Sequence, residues 1–84
     1  MLLRSKRFRK RYAKLPDAVK KKVDRCLRIL VKDLRHPGIQ ARKMVNQPDI
    51  WEARVDLHTR ITFQAGDHQI TLRSVGTHEI YRKP

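Results

Sequence analysis

The chain has 84 residues, of which 21 are Lys or Arg and 8 are Asp or Glu, for a formal net charge of +13. That length leaves room for one core, read here as one domain over residues 1–84, and none for a separate substrate domain or a large cofactor pocket. One cysteine, Cys26, excludes an internal disulfide and a cysteine-based zinc site.

Taken in chain order, Met1 to Arg4 forms at most a short strand. Ser5 is suited to cap a helix in which Phe8, Tyr12 and Leu15 recur at helical spacing among Lys and Arg residues. Pro16 breaks that helix and opens a second, with Asp17 favourably placed in its first turn. Val19, Val23, Leu27, Leu30 and Leu34 form the apolar stripe of this second helix, widened by Cys26 and Val31, and His36-Pro37-Gly38 ends it. Cys26, beside Leu27 and Leu30, is expected to be buried and inert.

The second half changes period. Ile50–Leu57, Thr59–Ala65 and His68–Val75 each alternate apolar with polar residues, which predicts half-buried antiparallel strands. A shorter strand is expected near Ala41–Val45, with Asn46-Gln47-Pro48-Asp49 as a loop and turns at Leu57-His58-Thr59 and Gly66-Asp67-His68. The predicted architecture is α+β: a two-layer domain in which an N-terminal helical hairpin packs on a twisted antiparallel sheet through Trp51, Ile61, Phe63, Ile70 and Leu72. No apolar run approaches the roughly 20 residues needed to cross a bilayer, and Met1-Leu2-Leu3 is too short for a signal-peptide core. No membrane partner is therefore expected, and the lone thiol of Cys26 is compatible with the expected cytoplasmic setting.

Strand alternation also sorts the polar residues. If Trp51, Ala53 and Val55 face the helices, Glu52 and Arg54 face away, and Arg60, Thr62 and Arg73 do likewise. Three arginines from three strands then share one sheet face. Guanidinium groups donate in parallel pairs and so suit phosphate. Thr77-His78-Glu79-Ile80-Tyr81-Arg82 follows the last strand and can fold beside them.

These are the parts needed for RNA cleavage without a metal or cofactor, in which the ribose 2′-OH attacks the adjacent phosphate. Arg54 and Arg60, with Arg73 less centrally, supply charge stabilisation of the kind often worth about 3–4 kcal/mol per donor. His78 is the acid or base, since imidazole titrates near neutrality, or a plain surface histidine after the Gly-Thr loop. Glu52 is the partner base, an orienter of arginine, or one half of a cross-strand salt bridge with Arg54 or Arg60. Tyr81 stacks on a base, assists proton transfer or packs at the sheet edge. His36, His58 and His68 lie in turns without paired ligand spacing, so no metal site is expected. Trp51 is read as core.

The run Phe8-x3-Tyr12-x2-Leu15-Pro16, the leucine-rich helix, Asp49–Val55, Thr59–Phe63 and Val75–Tyr81 together resemble the RelE/ParE toxins of toxin–antitoxin systems, over nearly the whole chain. The resemblance implies a short first strand, two helices and then an antiparallel sheet, in β-α-α-β-β-β order. It also implies an mRNA interferase acting at the ribosome and silenced by a cognate antitoxin. It carries the charge-stabilising role to Arg54 and Arg60, the acid/base role to His78 and the aromatic role to Tyr81. RelE itself has Lys where Glu52 stands and Arg near His78, so this chain is nearer the His-containing nucleases. The ParE branch, which poisons DNA gyrase, lacks the cleavage residues. A non-catalytic gyrase inhibitor and a basic RNA-binding module are the alternatives.

A charge of +13 exceeds the magnitude of about 2–8 that solubility asks of a small domain, and it implies a polyanionic partner. Lys10, Arg11 and Lys21 on the helices, with Lys43, Arg73 and Arg82, are the expected grips on mRNA and rRNA phosphates. An acidic antitoxin segment is the expected protein partner. RNA binding should weaken steeply between about 50 and 200 mM salt, with a log–log slope that counts the phosphates neutralised; a salt titration of binding to RNA checks this.

Overall fold

A computed structural model describes residues 2–77 of the protein. The elements are β1 (Leu2–Arg4), α1 (Lys6–Ala13), α2 (Asp17–Lys32), β2 (Arg42–Met44), β3 (Gln47–Arg54), β4 (Arg60–Ala65) and β5 (Ile70–Gly76). They form two helices on a five-stranded sheet ordered β1-β5-β4-β3-β2. The two-layer α+β arrangement expected from the sequence is present, with two differences. Four strands follow the helices rather than the three of the β-α-α-β-β-β order. β1 runs parallel to β5, so the sheet is mixed, while the other pairings are antiparallel.

Ser5 joins the layers. Its hydroxyl accepts the Phe8 N–H at 3.1 Å, capping α1, and donates to the Arg73 carbonyl at 2.8 Å. Its backbone N–H donates to the Leu72 carbonyl at 3.0 Å. Tyr12 then ties α1 to α2 by donating to Asp24 Oδ1 at 2.7 Å. Phe8, Val23, Cys26, Leu27 and Leu30 from the helices meet Ala53, Ile61, Phe63, Leu72 and Val75 from the sheet in one buried cluster. Trp51 is half-buried on the helix side and stacks on Phe63, with ring centroids 6.1 Å apart. Burial pushes the Cys26 thiol up to about 11, so it stays protonated at neutral pH, as expected of an inert core cysteine.

Several boundaries differ from the periodicity. Helix α2 stops at Lys32 rather than running on through Leu34. Asp33 adopts an extended backbone and its carboxylate accepts the Arg35 N–H at 3.0 Å, a local turn that competes with the helix. Val31 is 53% exposed and does not widen the core stripe. Gln47–Asp49 belongs to β3 rather than to a loop, and the β2–β3 turn falls at Val45-Asn46. At its other end β3 stops at Arg54, and Val55 to His58 form a bend that leaves Leu57 exposed.

The sharpest departure is in β5. Thr62 pairs with Ser74 but Phe63 pairs with Leu72, so Arg73 is an extra residue in a β-bulge. The slip lets Leu72 and Val75, three apart, both reach the core, and it turns Ser74 to the face that carries Thr62.

Phe63 is fully buried at the centre of this packing. Phe63→Ala should cost about 3–5 kcal/mol. Val45→Ser, at a side chain 95% exposed, should stay within about 0.5 kcal/mol of wild type. Urea unfolding measures both.

Candidate functional site

The sheet face opposite the helices is built by register. Glu52 lies across from Thr62, and Thr62 across from Ser74; Arg54 lies across from Arg60, and Arg60 across from Gly76. Arg54 and Arg60 are thus nearest neighbours on adjacent strands, and Arg73 shares their side of the sheet by donating to Gln64 Oε1 at 3.0 Å. The three guanidinium groups expected on one face are on one face.

They do not form one cluster. Arg54, Arg60 and Glu52, together with Arg42 and Gln40, line a polar cleft of about 140 Å³. Arg73 belongs instead to a separate hollow of about 260 Å³ beside Ser5, Lys6, Arg7 and Thr71, at the start of α1. Lys43 is on the opposite side of the sheet, with its ammonium 5.8 Å from the centre of the Trp51 ring. Lys10 and Lys21 are exposed on α1 and α2, and Arg11 is half-buried on α1. His78, Tyr81 and Arg82 lie outside the described residues.

Glu52 is buried, at 5% exposure, where the alternation expected an open polar position. Its salt-bridge partner is neither Arg54 nor Arg60. Arg42, its cross-strand neighbour on β2, donates from Nε to Glu52 Oε1 at 2.7 Å. The second oxygen, Oε2, has no hydrogen-bond partner among the described residues, and neither do Thr62 Oγ1 and Ser74 Oγ in the same cross-strand row. A buried polar atom that stays unpaired costs about 1–3 kcal/mol.

Arg60 is held from behind by the bend before β4. Its Nη1 donates to the carbonyls of Asp56 at 2.6 Å and Thr59 at 3.1 Å. That bend is shaped by Asp56, whose Oδ1 accepts the N–H groups of His58 at 2.9 Å and Thr59 at 2.8 Å, while Oδ2 faces the Lys22 ammonium of α2 at 3.6 Å. Two residues without a site role in the sequence reading, Arg42 and Asp56, therefore organise the cleft. The stretch Asp56-Leu57-His58-Thr59 carried a usable signal for the second, because Asp commonly accepts from the N–H two residues on in such turns. His36 has a turn role as well: its Nδ1 accepts the Gly38 N–H at 2.9 Å.

No family model matches this sequence, and no curated relative matches it. Solved structures do match it. The fold is that of the RelE/ParE toxins of toxin–antitoxin systems. YafQ from E. coli strain BL21(DE3) superposes with a TM-score of 0.80 at 15% identity, covering 96% of both chains. The chain is also similar to the heterotetrameric YoeB–YefM toxin–antitoxin complex from Staphylococcus aureus, with a TM-score of 0.76 at 18% identity, covering 93% of this chain and 95% of that one. The archaeal RelE–RelB complex from Pyrococcus horikoshii OT3 matches with a TM-score of 0.74 at 17% identity, covering 90% and 91%. At such identities the likeness is one of fold. Among the described residues no helix is long and apolar enough to cross a membrane.

Burial alone would raise the Asp56 carboxyl, but the hydrogen bonds from His58 and Thr59 outweigh it and, with nearby Lys22, hold the group below its ordinary 3.8. A carboxyl lowered on folding stabilises the fold at pH values above 3.8, and that contribution is lost as pH falls through the lower folded value. Asp56→Asn should therefore be less stable than wild type at neutral pH by a gap that stays constant down to roughly pH 5 and narrows in stronger acid. Urea unfolding of both proteins across that range measures it.

Proposed function

We propose that this protein is the toxin of a toxin–antitoxin pair and acts as an endoribonuclease on mRNA, at the ribosome, to arrest translation. The observation that carries the proposal is the cleft in which Arg54 and Arg60, direct cross-strand neighbours, stand beside the buried carboxylate of Glu52. Toxin–antitoxin assembly in the structurally similar YoeB–YefM complex supports the pairing with an antitoxin. A net charge of +13 supports rRNA and mRNA as partners, and it makes an acidic antitoxin segment the natural cover for the arginine face. A cytoplasmic site of action follows from those partners.

The chemistry divides among these residues. The scissile phosphate sits against Arg54 and Arg60, whose donors strengthen their hold as negative charge grows on the non-bridging oxygens. A base takes the proton of the 2′-OH, the 2′ oxygen bonds to phosphorus, the bond from phosphorus to the 5′ oxygen breaks, and an acid protonates that oxygen. The products are a 2′,3′-cyclic phosphate and a 5′-OH. Glu52, with Oε2 uncommitted, suits one proton-transfer role and His78 the other. Gly76 pairs with Arg60, and His78 follows Gly76 by two residues in the sequence. Tyr81, slightly further along, can stack on a flanking base. Arg73, in its own hollow, is assigned to RNA binding along the strand, with Lys10, Arg11, Lys21 and Arg82 as outlying phosphate contacts. Lys43, over Trp51 on the other side, is assigned to peripheral binding.

The test is induced expression with mapping of mRNA 5′ ends. Arg60→Ala and His78→Gln should each reduce cleavage by about 10²–10³-fold and abolish growth arrest, with unchanged circular dichroism. Full cleavage in both variants would refute this site. Growth arrest with intact mRNA and accumulating DNA damage would point instead to a gyrase-type target.

A further inference from the structure

Gln40 lines the arginine cleft for a reason its backbone does not supply. Among the described residues it is the only non-glycine with a positive φ, at 45°. The chain reverses there between buried Ile39, whose carbonyl accepts the Arg54 N–H at 2.6 Å, and the start of β2 at Arg42. Gly or Asn takes this left-handed conformation with less strain than Gln. Strained residues of this kind gather where function overrides local preference. Gln40 is exposed, lines the cleft with Arg42, Glu52, Arg54 and Arg60, and its side chain makes no hydrogen bond to another described residue.

The chemistry of the amide differs from that of its neighbours. The arginines only donate, and the Glu52 carboxylate only accepts. A phosphate oxygen needs donors alone and is already provided for. A carboxamide offers one acceptor and two donors, the complement of a nucleobase edge, which presents donors and acceptors side by side. Sequence in single-stranded RNA is read through such edges.

We propose that Gln40 reads the nucleobase adjacent to the phosphate held by Arg54 and Arg60, and so determines at which RNA sites the enzyme cuts. This rests on the nuclease reading above. Gln40 is a specificity-determining residue, and the phosphate chemistry proceeds without it.

The experiment compares wild type with Gln40→Ala, Gln40→Gly and Gln40→Asn by mapping mRNA 5′ ends after induced expression of the full chain, alongside thermal melting of the purified proteins. Gln40→Gly, which removes the amide and relieves the backbone, should melt at or above the wild-type temperature. In both Ala and Gly variants total cleavage should stay within a few-fold of wild type, while the preference for the strongest sites over the remainder drops about tenfold. Gln40→Asn keeps a carboxamide in a residue that tolerates the conformation, and should retain a biased pattern. An unchanged site pattern in both Ala and Gly variants overturns the assignment and leaves the nuclease reading standing. A uniform fall at all sites overturns it too, because Gln40 would then merely hold the arginines in place. Absence of cleavage by the wild-type chain overturns the nuclease reading itself, and this one with it.

Discussion

The pairing of β3 with β4 is the constraint on which the rest of the molecule depends. Because side chains alternate along a strand, a single register sends Ala53, Ile61 and Phe63 under the helices and Glu52, Arg54, Arg60 and Thr62 to the other side. A slip by one residue would exchange these sets, burying guanidinium groups in the core and exposing the aromatic ring. The core and the candidate site are therefore one decision expressed on two faces. Stacking of Trp51 on Phe63 secures that decision from the helix side, and the Arg42–Glu52 ion pair secures it from the other.

The far face is not simply solvated. Glu52, Thr62 and Ser74 are buried in one row across three strands, each with an oxygen lacking a hydrogen bond among the described residues. A buried carboxylate is tolerable because Arg42 pairs with it directly and Arg54 and Arg60 stand in the same cleft. The arrangement has the character of a preorganised polar surface, in which groups are already withdrawn from bulk water and oriented. Arg60 shows the same economy, since the carbonyls of the Asp56 bend restrict its guanidinium in advance.

Much of this was legible in the sequence because the alternation in Ile50–Leu57 and Thr59–Ala65 is regular and the stripe from Val19 to Leu30 is unambiguous. What escaped did so for identifiable reasons. β2 is three residues long and carries no periodic signal, so Arg42 could not be matched to Glu52. The bulge at Arg73 breaks the period where the sequence pattern continues it, and it draws that guanidinium toward Gln64 and the start of α1. The early end of α2 turned on one side chain, Asp33, competing for backbone N–H groups against a stripe that still favoured helix. The conformation of Gln40 is a backbone property that its identity argues against. Residue types announce which face they prefer, whereas pairings across short strands and local reversals emerge only when the chain closes.

The parallel contact between β1 and β5 has a consequence for how the protein comes into being. Leu2, Leu3 and Arg4 find their sheet partners at Ile70, Thr71 and Leu72, and Ser5 completes its contacts on the same distant strand. The opening segment therefore has no sheet partner until β5 has been made. Such long-range closure is slow compared with helix formation. A nascent chain thus carries its first strand unpaired until β5 has been made, and Arg60 gains its Gly76 neighbour only at that same stage.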